Sequence, residues 1–207
     1  MKITEVRTRV VQWEGKTIPL PPHFCTNPMD LVAFREASMG TFAFHGWVLV
    51  EIFTDEGLVG VGNAALAPLV TKSCIDHYLA PFLIGQDPWD TEYIWQQMYR
   101  RTMAFGRKGV AMAAISAVDI ALWDLLGKSA KQPVYRLLGG RTKERIPVYA
   151  SRLYSMPLDQ LRVEAQRYMD QGYKAMKLRF GWGPTDGAAG MRRNVELLTA
   201  VREVIGD

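Results

Sequence analysis

Apolar and polar residues change their period several times along this chain, and each change marks a new kind of element. From position 3 to 13 the apolar residues Ile3, Val6, Val10, Val11 and Trp13 stand among Thr4, Glu5, Arg7 and Arg9, the texture of a first strand. Residues 44–54 read as a stronger strand, Asp55-Glu56-Gly57 as a turn, and residues 58–63 as a third strand returning on the second. Three consecutive antiparallel strands make a meander. Between the first two lies a stretch from Gly15 to Asp30 in which Pro19, Pro21, Pro22 and Pro28 exclude a continuous strand and predict a long loop.

After Pro68 the spacing turns helical. Residues 70–83 read as one helix stopped near Gly85-Gln86-Asp87-Pro88, and Asp90 stands where a cap would open the next, which runs to about Met103. Residues 110–127 form a long, largely apolar helix whose small side chains suit close packing, with Gly127 as its stop. Asp119 and Asp124 lie on it, either as capping acids and partners of a nearby arginine or as pocket acids. Pro133 opens a short helix that Gly139-Gly140 closes. From there the order is strand (146–151), helix (158–171), strand (175–180), helix (190–204), a βαβα spacing that implies parallel strands. The pattern therefore divides into an α+β part, residues 1–140, and a βαβα part, residues 141–207. Two parallel strands leave open edges, so the chain also reads as one that stops short of a complete sheet.

Composition narrows the class. With 48% apolar and 22% charged residues the chain has the make-up of an ordinary globular protein. Its net charge of +4 is scattered over short basic pairs with no interleaved aromatic run, which excludes a nucleic-acid reader. Two cysteines, Cys25 and Cys74, form no disulfide framework or zinc pattern. The start is charged and alternating, and no apolar run is read as spanning a membrane, so a soluble, reducing, cytoplasmic setting is expected, without membrane partners.

The chemistry concentrates in Tyr173-Lys174-Ala175-Met176-Lys177-Leu178-Arg179-Phe180. Alternation along a strand puts Lys177 and Arg179 on one face and Met176, Leu178 and Phe180 on the other. Two cations on an otherwise apolar strand are costly to bury unless an anion meets them, which points to a pocket for a negatively charged small molecule. The same pair also reads as solubilising charge on an edge strand. In the 15–30 loop, His23, Phe24, Cys25, Asn27 and Met29 are unusual for a spacer and mark it either as functional or as pinned down by its own aromatics.

The passage Ser116-Ala117-Val118-Asp119-Ile120-Ala121-Leu122-Trp123-Asp124-Leu125-Leu126-Gly127-Lys128, followed by Pro133-Val134-Tyr135-Arg136-Leu137-Leu138-Gly139-Gly140 and Ile146-Pro147-Val148-Tyr149-Ala150-Ser151, resembles the mandelate racemase branch of the enolase superfamily. The resemblance covers essentially the whole chain but about half of a family member. It implies an α+β capping domain, an antiparallel meander plus a helical bundle, followed by the first part of a parallel (β/α) barrel.

By that resemblance the end of the second barrel strand should carry Lys-x-Lys, whose second lysine removes a proton beside a substrate carboxylate. Here the residues are Lys177-Leu178-Arg179. Arginine stays protonated under almost any condition, so the departure argues against a two-base racemase using this strand. It fits an enzyme in which Lys177 and Arg179 hold the anion while another residue takes the proton. The resemblance further implies Mg²⁺, with ligands on later barrel strands beyond residue 207, so no metal ligand is assigned in this chain. The loop from Phe180 to Gly187 resembles that of rhamnonate-type acid-sugar dehydratases, which makes Trp182 a substrate-binding candidate. The 15–30 loop corresponds to the family's capping loop, adding Trp13, His23, Phe24 and Asn27, with His45 as a lesser candidate. The resemblance implies dehydration of an aldonate or aldarate, a small-molecule carboxylate, through an enediolate, in a homo-oligomer. Racemase, epimerase or cycloisomerase chemistry stays open, as does a catalytically silent piece acting in binding or assembly.

Overall fold

The computed structural model describes residues 1–12, 23–25, 46–65 and 67–206, and these fall into two compact units. One comprises residues 1–12 and 46–142, the other residues 23–25 and 143–206. Residues 23–25 thus belong with the second unit, although residues 1–12 before them and 46–65 after them belong to the first.

In the first unit β1 (Ile3–Gln12), β2 (Gly46–Thr54) and β3 (Val59–Ala64) form an antiparallel sheet in that order. Gly57, at φ 77°, supplies the left-handed turn residue between β2 and β3. β2 alternates cleanly: Val48, Val50 and Ile52 are fully buried, while Trp47 and its alternates face outward. The inner face of β3 is Gly60, Gly62 and Ala64, with almost no side chain at all. That bareness decides how the long helix docks.

Helix α4 (Val110–Ala130) lies on β3 and β2, burying Ala114, Ala117, Val118, Ala121, Leu122 and Leu125. A Cβ on Gly60 would stand 2.1 Å from the Ala121 carbonyl oxygen, and one on Gly62 would stand 1.9 Å from that of Ala117. Helix backbone therefore touches strand backbone, through glycine on one side and alanine on the other. The helix also closes the free edge of β3. The Val61 N–H donates to Asp124 Oδ2 (2.8 Å), and Lys128 Nζ donates to the Val59 carbonyl (2.7 Å) and to Asp124 (2.6 Å). Side chains thereby satisfy backbone groups that would otherwise offer a sticky edge. Asp124 pairs with a lysine and a strand amide, where an arginine was expected.

Helix α1 (Pro68–Cys74) runs through a π-helical stretch (Ile75–Leu79) into α2 (Ala80–Leu83). Pro81 has no N–H to return to the preceding turn, and the wider turn, with the Ala80 N–H donating to the Ile75 carbonyl, accommodates it. Lys72 ties this helix to the sheet, donating to Thr8 Oγ1 (2.6 Å) and Asp76 (2.6 Å). Asp90 precedes α3 (Thr91–Thr102), yet its side chain makes no capping bond; its backbone carbonyl takes the Ile94 N–H instead.

Gly127 does not end α4. It is buried inside the helix, which continues to Ala130 and stops at Lys131 in the left-handed region (φ 52°). One glycine costs a helix interior about 1 kcal/mol, and the packing at this site outweighs that; a Cβ there would press to 3.0 Å from the Gln132 carbonyl, so the small residue lets the next turn of chain fold back. At 21 residues α4 is long and apolar enough to cross a membrane by composition, contrary to the reading of the bare sequence. More than half of its apolar window is buried inside the unit, as a core helix requires. The short α5 (Val134–Leu137) follows. Cys25 and Cys74 are unpaired, and burial pushes the Cys74 thiol upward, leaving it a packing residue.

In the second unit β4 (Ala150–Leu153) and β5 (Met176–Leu178) pair in parallel, with Ala150 opposite Met176 and Leu153 opposite Leu178. Helices α6 (Leu158–Asp170) and α7 (Gly187–Ile205) pack on each other and on this pair. Leu161, Ala165, Leu197 and Val201 form the core, joined by Met176 and Leu178 from the strand. The first strand starts later than residues 146–151 suggested: Ile146 and Val148 are 78% and 67% exposed. An apolar run does not by itself become buried strand, since burial needs a partner packed against it.

Two stability measurements test this packing. Gly62→Ala should lower unfolding free energy by about 3 kcal/mol in denaturant titration, because neither backbone can yield, whereas Val61→Ala, outward-facing between the two glycines, should cost less than about 1 kcal/mol. Asp119 has its carboxyl raised above the usual range, first by burial and then by the neighbouring Glu92 charge. A raised native value means the native state holds its proton longer than the unfolded chain. The stability penalty is therefore absent in acid and grows as pH rises through the native value. Asp119→Asn should stabilise the protein at neutral pH and leave it unchanged near pH 3, read from paired thermal melts.

Candidate functional site

Parallel β/α arrangements collect functional side chains at the C-terminal ends of their strands, because the loops there are free to vary above a fixed frame. Here that end is built from Leu153-Tyr154-Ser155 after β4 and from Arg179-Phe180-Gly181-Trp182 after β5. The Arg179 N–H donates to the Leu153 carbonyl at 3.0 Å and carries the strand pairing one residue past β5.

Residues 23–25 sit against these ends. The His23 ring stacks on Trp182 with centroids 5.1 Å apart and planes 19° apart. Its Nδ1 lies 3.3 Å from the Gly181 carbonyl oxygen; a carbonyl only accepts, so Nδ1 donates. Phe24 stacks on Tyr154 at 4.2 Å and 15°, and its carbonyl accepts the Ser155 N–H at 3.3 Å. The His23 carbonyl rests where a Gly181 side chain would be, 2.1 Å from the position of its Cβ.

The two cations of β5 each lie over a tyrosine. Arg179 Cζ is 5.6 Å from the Tyr154 ring centroid and Lys177 Nζ is 5.8 Å from that of Tyr149. Lys177 is half-buried and Arg179 exposed, and among the described residues neither is in an ion pair with a carboxylate. Met176 and Leu178 turn the other way, into the core. Phe180 does not follow them; it is 41% exposed. A cleft of about 790 Å³ runs along β5, lined by Tyr149, Tyr173, Lys177, Phe180, Val201 and Ile205. It borders the strand edge that β4 leaves unpaired, and His23, Phe24, Arg179 and Trp182 do not line it. The cluster at the strand ends, not this cleft, gathers the candidate residues.

Of the seven residues the sequence singled out, five are thus located: Lys177, Arg179, His23, Phe24 and Trp182, with the last four meeting at the strand ends. Trp13, Asn27 and the further candidate His45 lie outside the described residues. Sequence reasoning passed over Tyr149, Tyr154, Ser155, Gly181 and Asn194. Tyr154 and Ser155 had a usable signal, since they follow the first parallel strand as Gly181 and Trp182 follow the second. Asn194, on α7, had none; it grips the Trp182 backbone from both sides, accepting its N–H (3.3 Å) and donating to its carbonyl (2.9 Å).

Fold and site define a capping α+β unit joined in sequence to the opening of a parallel β/α array. The N-terminal-domain profile of the mandelate racemase / muconate lactonizing enzyme family matches residues 26–139, and the chain belongs to that family, within the enolase superfamily. It is 39% identical to arabinonate dehydratase of Saccharolobus solfataricus over 77% of this chain and 42% of that protein. It is 34% identical to L-rhamnonate dehydratase of Saccharopolyspora erythraea over 100% of this chain and 52% of that one. Among solved structures, L-rhamnonate dehydratase from Gibberella zeae superposes with a TM-score of 0.80 at 33% identity, covering 99% of this chain and 49% of that chain. A racemase from Streptomyces coelicolor with bound magnesium superposes at 0.76 and 32% identity, covering 99% and 52%. The chain spans about half the length of the curated relatives it matches.

Magnesium demands several oxygen ligands in near-octahedral array. Among the described residues no group of three or more His, Cys, Asp or Glu stands close enough to hold a metal ion, and the strand ends present cations instead. The described residues do not form a magnesium site. Titration of the 207-residue chain with MgCl₂ in a calorimeter should give no saturable heat; stoichiometric tight binding would overturn this.

Proposed function

We propose that this chain is the capping unit and opening strands of a sugar-acid dehydratase, acting on an aldonate or aldarate by removal of the proton beside its carboxylate. The observation that carries the reading is the gathering of Arg179, His23, Phe24 and Trp182 around the C-terminal ends of two parallel strands, Arg179 and Phe24 sharing the Tyr154 ring, with Lys177 two residues earlier on β5. The sugar-acid dehydratases among its relatives support the same substrate class.

Each residue then has a task set by its chemistry. Arg179 cannot accept a proton at working pH, so it serves as a fixed cation toward the substrate carboxylate. Charge on that carboxylate grows as the neighbouring proton leaves, and a pre-positioned cation stabilises the later state more than the earlier. Lys177 is a second donor of the same sign, held by its strand and by the Tyr149 ring. His23 and Phe24 bring a polar ring and an apolar ring to the mouth, suited to hydroxyls and to the exclusion of water. The residue that takes the proton and the ligands of Mg²⁺ belong, in this proposal, outside the described residues. A cytoplasmic homo-oligomer is part of the same reading, supported by the family alone.

A racemase is the second reading, favoured by the structural likeness to a racemase. It needs a base on each face of the substrate, and the arginine at position 179 disfavours one on this strand.

The full-length gene product, assayed with Mg²⁺ against a panel of aldonates and aldarates, should form a 2-keto-3-deoxy acid from at least one. Exchange of the proton beside the carboxylate with solvent, without water loss, would favour the racemase. In an active protein Lys177→Met should lower kcat by about a hundredfold or more; unchanged turnover would return Lys177 to an ordinary strand residue.

A further inference from the structure

His23 holds a backbone conformation that non-glycine residues rarely adopt, φ 57°. Left-handed backbone is strained for a residue with a Cβ, so something nearby must hold it there. Four contacts do so, and all go to residues more than a hundred positions away: the ring on Trp182, Nδ1–H to the Gly181 carbonyl, Phe24 on Tyr154, and the Ser155 N–H to the Phe24 carbonyl. The receiving surface is itself braced. Asn194 fixes the Trp182 backbone in both directions, and Gly183 donates to Asp186 Oδ2 at 2.8 Å. Gly190, with its missing Cβ 2.9 Å from that of Trp182, lets α7 come up under the loop. Arg179 lies over Tyr154, the ring that receives Phe24.

We infer that Gly181, Trp182 and Tyr154 form a docking seat for residues 23–25, so that the capping segment is positioned by the loops after β4 and β5 and His23 is held in its Nδ1–H tautomer. Trp182 is then a positioning residue: the ring face that meets His23 is spent on that stack and is not offered to substrate. Gly181 is the residue that admits the segment, because any side chain there meets the His23 carbonyl. Arginine at position 179 gains a second reason, since its flat guanidinium matches the Tyr154 ring in a way an ammonium does not. The inference gives the proposed active site its register, yet it stands on contacts within this chain and is tested without any turnover, so its failure and that of the dehydratase reading are separable.

Two backbone amides provide the measurement and its control. The Ser155 N–H is bonded to Phe24 of the docked segment, whereas the Arg179 N–H is bonded to Leu153 within the strand pair. Hydrogen exchange of the 207-residue chain, followed by NMR, should find both protected. Gly181→Ala and Trp182→Ala should each speed exchange at Ser155 by about tenfold or more and leave Arg179 unchanged, as expected when a segment is released from an intact frame. Trp182→Phe, which keeps a stacking face, should retain the protection. In ¹⁵N-histidine spectra, where the chain has three histidines to assign, the neutral His23 ring should carry its proton on Nδ1 and lose that preference in both alanine variants. Continued protection of Ser155 in both variants, loss at Arg179 alongside it, or an Nε2–H tautomer in the unmodified chain would each overturn the seat.

Discussion

Close backbone approach, of a kind only glycine allows, is the constraint on which both units depend. In the first unit, Gly60 and Gly62 present bare strand to α4, and Ala117 and Ala121 present nearly bare helix in return. With backbones in contact, Asp124 and Lys128 come within reach of the edge amide and carbonyl of β3, so one helix both covers the sheet and finishes its hydrogen bonding. In the second unit, Gly181 receives the His23 carbonyl and Gly190 lets α7 stand against Trp182. Glycine costs backbone entropy at every such place, and the offset is a geometry no larger residue permits.

This view reassigns the conspicuous run from Ser116 to Lys128. Its alanines are the docking surface, its second aspartate and its lysine are edge caps, and its first aspartate is a half-buried carboxyl whose ionisation burial disfavours. None of these tasks is catalytic. A motif that identifies a family can do so because the packing it serves tolerates few alternatives, while the chemistry sits elsewhere on shorter and plainer segments.

At the strand ends the balance between charge and aromatic surface is the point of interest. Arg179 is exposed yet placed over Tyr154, which fixes its direction without neutralising it. Among the described residues no carboxylate pairs with it, and a ring leaves its charge unspent. That leaves a directed positive group, which the proposed function uses to meet a substrate carboxylate.

Period and punctuation along the chain determined the element order: the meander, the helices, and the parallel βαβα passage all follow from spacing, because alternation and 3.6-residue repeats reflect burial that any compact fold imposes. The facing of Lys177 away from Met176 and Leu178 was likewise legible, being a property of one strand. What spacing could not convey is contact between segments distant in sequence. Gly127 reads as a helix stop, and only the turn of chain packed against it shows why it lies inside. Residues 146–149 read as buried strand, yet Ile146 and Val148 are exposed, because burial depends on what packs against a run and not on the run's own composition. The pairing of His23 with Trp182 and of Phe24 with Tyr154 joins residues with no local signature in common, since ring stacking and a vacant Cβ are facts of three-dimensional placement that one-dimensional order does not encode.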